Sequence, residues 1–349
     1  MRCYTEKSVN NRILAGIVTL LFGLAPVALV SAGDHAHSHQ APEFSNPDEL
    51  APVDEDWASR TVEYEKDLRD SDLVVALGQQ SHPIFKDLIP EYAKKHNLKI
   101  GVRHGTCGIT SGRLRKKSVD IGAFCCPPGK NDRLPGMTFH SLGISPLALI
   151  VHPGNPLQDI SLEQAREIFR GHQSHWNQVS DDVQPELDRL IQPVARLHCK
   201  KRPGHWRGLL GDEDQFGPRL FEVGVIPDMI SQVARNQGAI GLEVPLMVSY
   251  HREKGDVRML KIDGHEPTDL EYVATGAYPF YRTYHLTTWE KDEKTKRIAM
   301  DLVRYLQQYI DEHADQVGYV SQSQLRKAGW KFQGDELVGE PDSIRTARK

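Results

Sequence analysis

Thiols and imidazoles are the residues of this 349-residue chain best able to do chemistry. Cys107 lies in the turn His104-Gly105-Thr106-Cys107-Gly108. Cys125 and Cys126 end the run Val119-Asp120-Ile121-Gly122-Ala123-Phe124, and Cys199 lies in His198-Cys199-Lys200-Lys201-Arg202-Pro203-Gly204-His205. Thiolates together with His82, His198 or His205 suit soft and borderline guests such as Cu(I), Zn(II) or arsenite rather than a hard oxyanion. Ligation needs deprotonated thiols and neutral imidazoles, so such binding would weaken in acid. The spacing contains no Cys-x-x-Cys pair, which argues against a zinc ribbon and a haem attachment site. The plainer reading is one or two disulfides. The adjacent Cys125 and Cys126 would form a strained vicinal bridge, or one would ligate while the other packs. A redox activity at Cys125-Cys126 would need a thiol activated by nearby Arg or Lys, and no general-base constellation accompanies it.

The compartment bears on that choice. Arg2, Lys7 and Arg12 precede an apolar run from Ile13 to Val30, and Val30-Ser31-Ala32 supplies small residues for cleavage. This pattern predicts a secretory signal cleaved near Ala32 and a periplasmic, soluble mature protein. A retained membrane anchor is the alternative, and no other segment is apolar enough to span a bilayer. Cys3 precedes the apolar run and is lost with it. Cleavage removes three positive charges and one negative, moving the net charge from −4 to about −6, which argues against nucleic-acid binding. The remaining four cysteines then sit where disulfides persist. Cleavage after Ala32 would expose Gly33-Asp34-His35, whose amine, backbone nitrogens and imidazole can wrap Cu(II) or Ni(II), helped by His37 and His39. An incidental histidine-rich linker explains the same residues.

Elements that must position these groups follow from local pattern. Residues 33–70 are polar and read as a mobile arm with a short helix near Trp57–Leu68. Leu73-Val74-Val75-Ala76-Leu77 is a strand, Gly78–Pro83 a loop, and Ile84–His96 a helix with Phe85, Leu88, Ile89 and Tyr92 on one face. Lys99–Val102 is the next strand. The alternation indicates an α/β sheet flanked by helices. Leu147–Val151 is an uninterrupted apolar run suited to a buried strand. Ser161 can cap a helix, a long amphipathic helix covers Glu293–His313, and the tail frays from about Asp335.

Several stretches resemble the phosphate-binding family of periplasmic solute-binding proteins. They are Val119-Asp120-Ile121-Gly122-Ala123, Ile168-Phe169-Arg170-Gly171 with Trp176-Asn177, Gly238-Ala239-Ile240-Gly241, Tyr278-Pro279 and Gly318-Tyr319-Val320, in the family's order across residues 73–325. The resemblance implies a type II periplasmic binding fold with two lobes, each a mixed sheet flanked by helices, joined by two hinge crossovers that close on a ligand. It implies lobe 1 from 73–146 and 276–334 and lobe 2 from 147–275; the polar residues 335–349 are expected to be a flexible tail. The family's phosphate site takes hydroxyls, helix-start N–H groups, an arginine and an aspartate. By position, Ser81 or His82 stands for the first hydroxyl, Cys107 for a serine, Cys125 for the aspartate, and Arg196 keeps the arginine. His198, Cys199 and a basic run replace the Ser-Gly-Thr that should follow it.

Those departures lead to the expectation of a binding protein, not an enzyme. Its guest would be a soft metal or thiophilic species, copper first, held by Cys107, Cys125 and Cys199, with Cys126, His82, His198, His205 and His35 as further metal ligands. The alternative is phosphate or a similar oxyanion, bound by backbone N–H groups, Thr106, Ser111, Arg196 and the basic loop. Expected partners are the small solute or metal ion and an ABC-transporter permease or sensor. The protein itself is expected to be a monomer with no nucleic-acid partner.

Overall fold

The computed structural model describes residues 44–197, 208–290 and 292–347. The signal segment, His35, His37, His39, His198, Cys199 and His205 lie outside them. Strands β1 (Leu73–Gly78), β2 (Ile100–Gly105), β3 (Ile121–Phe124) and β4 (Met137–Pro146) build the first sheet. The chain then crosses at Leu147 into β5 (Ala148–Val151), followed by β6 (Asp159–Ile160), β7 (Gln192–Ala195), β8 (Phe221–Glu222), β9 (Ala239–Glu243), β10 (Arg258–Met259) and β11 (Lys261–Ile262). It returns through residues 263–280 to β12 (Tyr281–Trp289) and β13 (Val320–Ser321), and ends in a hairpin of β14 (Lys331–Gln333) and β15 (Glu336–Gly339).

The first sheet has six strands in the order β13-β4-β12-β3-β1-β2; the second has five, β10-β5-β9-β7-β8. In each, parallel strands carry an antiparallel addition: β1 runs parallel to β2 and β3, while β12 runs antiparallel to β3 and β4. β7 is parallel to β8 and β9, with β5 antiparallel to β9. This is the mixed α/β, two-lobed architecture expected from the sequence. Every residue of β1 and β5 is buried, so these strands read as continuous apolar runs rather than alternations.

Helices cover the sheets through their apolar stripes. Helix Glu293–Glu312 buries Ala299, Leu302, Val303, Leu306 and Ile310, a spacing of three and four residues that keeps them on one face. Helix Ile226–Arg235 does the same with Ile226, Met229, Ile230 and Val233. Helix Leu162–Arg170 starts with a capping box between Ser161 and Gln164 and stops at Gly171, whose φ of 85° only glycine adopts cheaply. The helix expected over Ile84–His96 is split into His82–Phe85 and Leu88–Lys95.

Two expectations are corrected. The segment read as a mobile arm is packed from Phe44 onward. Ala51 and Trp57 are buried, the Ala51 N–H donates to the Arg133 carbonyl at 2.8 Å, and the Tyr64 hydroxyl donates to Asp120 at 2.6 Å. Its helix is Glu55–Ser59, with a single further turn at Lys66–Leu68. A few apolar side chains and long-range hydrogen bonds anchor a stretch whose composition is polar. The tail is likewise structured: Leu337 is fully buried, and Glu336 pairs with the buried Arg133 at 2.9 Å. Among the described residues, no helix is long and apolar enough to cross a membrane.

Candidate functional site

Carboxyl ends of parallel strands are where open α/β sheets bind ligands, because the following turns project there with unpaired backbone groups. Four such ends meet here. β1 runs into Gln79 and Gln80, β3 into Cys125 and Cys126, β7 into Arg196, and β9 ends on Glu243 itself. The return strand β12 adds Arg282 and Tyr284. The Glu243 carboxylate accepts from Arg196 Nη2 at 2.8 Å and from Gln80 Nε2 at 2.6 Å, and lies 3.8 Å from Arg282 Nη1. Arg196 Nη1 also donates to the Gln79 side-chain oxygen at 3.2 Å. The contacts therefore join residues of the first sheet to residues of the second.

Burial gives this cluster its force. Glu243 is 0% exposed, and Arg196 and Arg282 are 3% exposed each. Two guanidiniums thus share one carboxylate in a dry setting, where Coulomb attraction is far stronger than in water. Arg196 Nε is buried with no hydrogen-bond partner among the described residues, a donor left over once Glu243 is satisfied. Burial opposes the charge on Arg282, but its surroundings, the Glu243 carboxylate among them, outweigh that and raise it above the ordinary arginine value.

Cys107 and Cys125 meet in the first lobe. Cys107 opens helix Cys107–Arg115, Cys125 directly follows β3, and their sulfurs stand 3.1 Å apart. Arg282 donates from Nη2 to Cys125 Sγ and from Nε to the Cys125 carbonyl, both at 3.2 Å. The hydrogen bond with Cys107 favours the Cys125 thiolate, but the bond with Cys126 and complete burial prevail, and the thiol is pushed up to about 12. It is protonated at neutral pH. Cys126, also buried, lies beside it.

The remaining expected site residues divide. Ser81 is buried and its hydroxyl is used locally, bonded to the Gly78 backbone. Thr106 caps helix Cys107–Arg115 by accepting from the Ile109 N–H at 3.3 Å. Ser111 is turned to Asp132 at 3.4 Å. His82 lies against His104 in a tilted ring pair with centroids 4.2 Å apart rather than joining the thiols; burial and then the His104 charge hold it below the usual histidine range.

The soft-metal expectation is not supported. No group of three or more His, Cys, Asp or Glu able to hold a metal occurs among the described residues. Instead, Arg282 donates to the sulfur of Cys125. Copper and the metal roles of Cys107, Cys125, Cys126 and His82 thus find no support among the described residues, and those of Cys199, His198, His205 and His35 fall outside them.

Sequence reasoning missed Gln79, Gln80, Glu243, Arg282 and Tyr284 as site residues. Glu243 did leave a signal, an acid ending the apolar run Ala239-Ile240-Gly241-Leu242, where a carboxylate is costly unless paired. The sequence model of the PBP superfamily domain matches residues 62–311. The chain belongs to the PBP (periplasmic binding protein) superfamily. No curated protein matches it. Among solved structures, it is similar to an ABC-type phosphate transport receptor from Vibrio cholerae, with a TM-score of 0.56 and 17% identity over 71% of this chain and 99% of that one. It is also similar to a substrate-binding protein assigned to a phosphate ABC transporter, with bound phosphate, from Clostridium perfringens, with a TM-score of 0.57 and 17% identity over 71% and 98%. At such identity these likenesses concern the fold. The substrate-binding proteins of the PBP superfamily are not enzymes; in ABC transport they deliver a small ligand to a permease.

Proposed function

We propose that this protein is an exported solute-binding protein that captures phosphate, or a closely similar tetrahedral oxyanion, between its lobes for an ABC-transporter permease. The observation that carries this reading is the buried pair Arg196 and Arg282, one from each sheet, facing the single carboxylate of Glu243. An anion entering there would be held by guanidinium donors that are strong because they are charged and dry. The start of helix Cys107–Arg115 would add backbone N–H groups.

Glu243 supplies what the altered first lobe lacks. The resemblance places an acceptor for a protonated phosphate at position 125, where a thiol now stands. A carboxylate from the second sheet can accept that same proton, so the role passes to the other side of the cleft. Residues 73–146 with 276–334, and 147–275, would form the lobes that close around the anion, hinged at Leu147 and at 263–280.

Equilibrium dialysis of the mature protein against inorganic phosphate tests the proposal. Tight binding is expected, with Arg196→Ala weakening it at least about 100-fold, the scale of a buried charge-assisted pair. Absence of binding to phosphate, arsenate and sulfate at millimolar concentration would remove the oxyanion reading.

A further inference from the structure

We propose that Cys107 and Cys125 form a redox modification site, an intra-lobe disulfide that lowers the anion affinity of the cleft. The two sulfurs are 3.1 Å apart, about 1 Å beyond the bonded separation. They sit on firm neighbouring elements of one sheet, the first residue of helix Cys107–Arg115 and the residue after β3. That helix packs closely on β3: a side chain at Gly122 would strike Leu114 Cδ1 at 2.5 Å. A bridge here asks for a small side-chain movement and leaves the hinge free, whereas a bridge from either cysteine into the second lobe would lock the cleft.

Oxidation by a low-molecular-weight disulfide, RSSR, balances simply. Cys107 and Cys125 lose their thiol protons and join in one S–S bond, the oxidant's S–S bond breaks, and two RSH leave with the two protons. Both cysteines are only 6% exposed, so the oxidant reaches them when the lobes part. The consequence reaches the anion site through Arg282, because Cys125 Sγ is one of the atoms that accept from its guanidinium. Drawing that sulfur toward Cys107 removes an acceptor from Arg282 and removes two S–H donors from the cleft floor. The effect on affinity rests on the proposed oxyanion reading; the disulfide does not.

The test uses the full mature protein, treated with oxidised glutathione, then with a reductant. Peptide mapping should find a Cys107–Cys125 cross-link and an intact mass lower by two hydrogens. Dialysis should show inorganic phosphate bound roughly 10-fold more weakly in the oxidised form, with recovery on reduction, the scale of one charge-assisted hydrogen bond. Cys107→Ser, a mild change at an already formed helix start, should show neither the cross-link nor the mass loss after the oxidant. No cross-link, or a cross-link at Cys125–Cys126 or to Cys199, overturns the proposal. Equal phosphate affinity in both redox forms overturns its regulatory half. A Cys107–Cys125 cross-link with no phosphate binding in either form would leave the modification site standing and remove the oxyanion reading instead.

Discussion

Glu243 holds one carboxylate between two arginines in a place with no access to water. A buried charge survives only when paired, because its desolvation cost exceeds most other single terms in folding. In the proposed phosphate reading the same carboxylate would give selectivity: it could accept from a protonated phosphate but would offer nothing favourable to fully ionised sulfate. Glu243→Gln keeps the shape and replaces one acceptor oxygen with an N–H donor. The expected outcome is a preference for phosphate over sulfate narrowed by roughly 10-fold or more, read by calorimetric titration with both anions. An unchanged ratio would show that Glu243 only neutralises charge. Cys125 teaches a complementary lesson. A cysteine near arginine suggests a thiolate, yet burial and Cys126 keep its proton in place.

At the scale of elements, the β4–β12 seam carries the clearest pH dependence. His285 on β12 is fully buried, with Nδ1 bonded to Ser141 on β4 at 3.0 Å. Burial first, then the charges of Arg133 and His140, depress it from 6.5 to about 3. Below pH 6.5 the unfolded chain takes up a proton that the folded chain refuses until about pH 3, so stability falls as pH drops through that window. Asp335 acts in the same direction. Burial opposes its charge, but hydrogen bonds from His140 and Gln307 overcome that and hold its carboxyl below the usual range. The melting temperature should decline steadily from pH 6.5 downward, and His285→Asn should shallow that acid limb in thermal unfolding scans. The C-terminal hairpin belongs to this seam too, since the Leu337 N–H donates to Ser141 at 2.8 Å. Gly143 fixes the seam's geometry: its φ is 145°, and a side chain there would meet the Val320 carbonyl oxygen at 2.1 Å.

For the whole molecule, the bonds Gln80–Glu243 and Arg196–Gln79 cross from one sheet to the other, and in the proposed closure of the lobes they would act as a latch. A latch made of the protein's own groups stabilises a closed form before any ligand arrives, and the ligand then adds only its differential affinity for that form. Gln80→Ala removes one of these bonds without touching either arginine. Its anion-free form should show a larger radius of gyration in X-ray scattering, while saturating phosphate restores the compact value. Identical scattering for variant and parent would mean that the latch does not hold the lobes.

Local pattern carried much of this protein. The apolar runs at 73–77 and 147–151, the spacing of three and four along 293–312, and the Ser161 cap depend on near neighbours, and each was legible in the chain. So was the family, because glycine motifs such as Gly122 and Gly241, where neighbouring side chains pack onto the backbone, recur along a fixed order. The anchoring of residues 44–70 and of the tail was not legible, since each depends on partners such as Arg133 that are far away in sequence. Nor was the ligand cluster. Gln80 and Glu243 stand 163 residues apart and Arg282 and Cys125 157, so only the folded chain brings Arg282 to the sulfur. Residue type tells what a thiol can do; burial and neighbouring charge, set by tertiary packing, determine which of those chemistries remains.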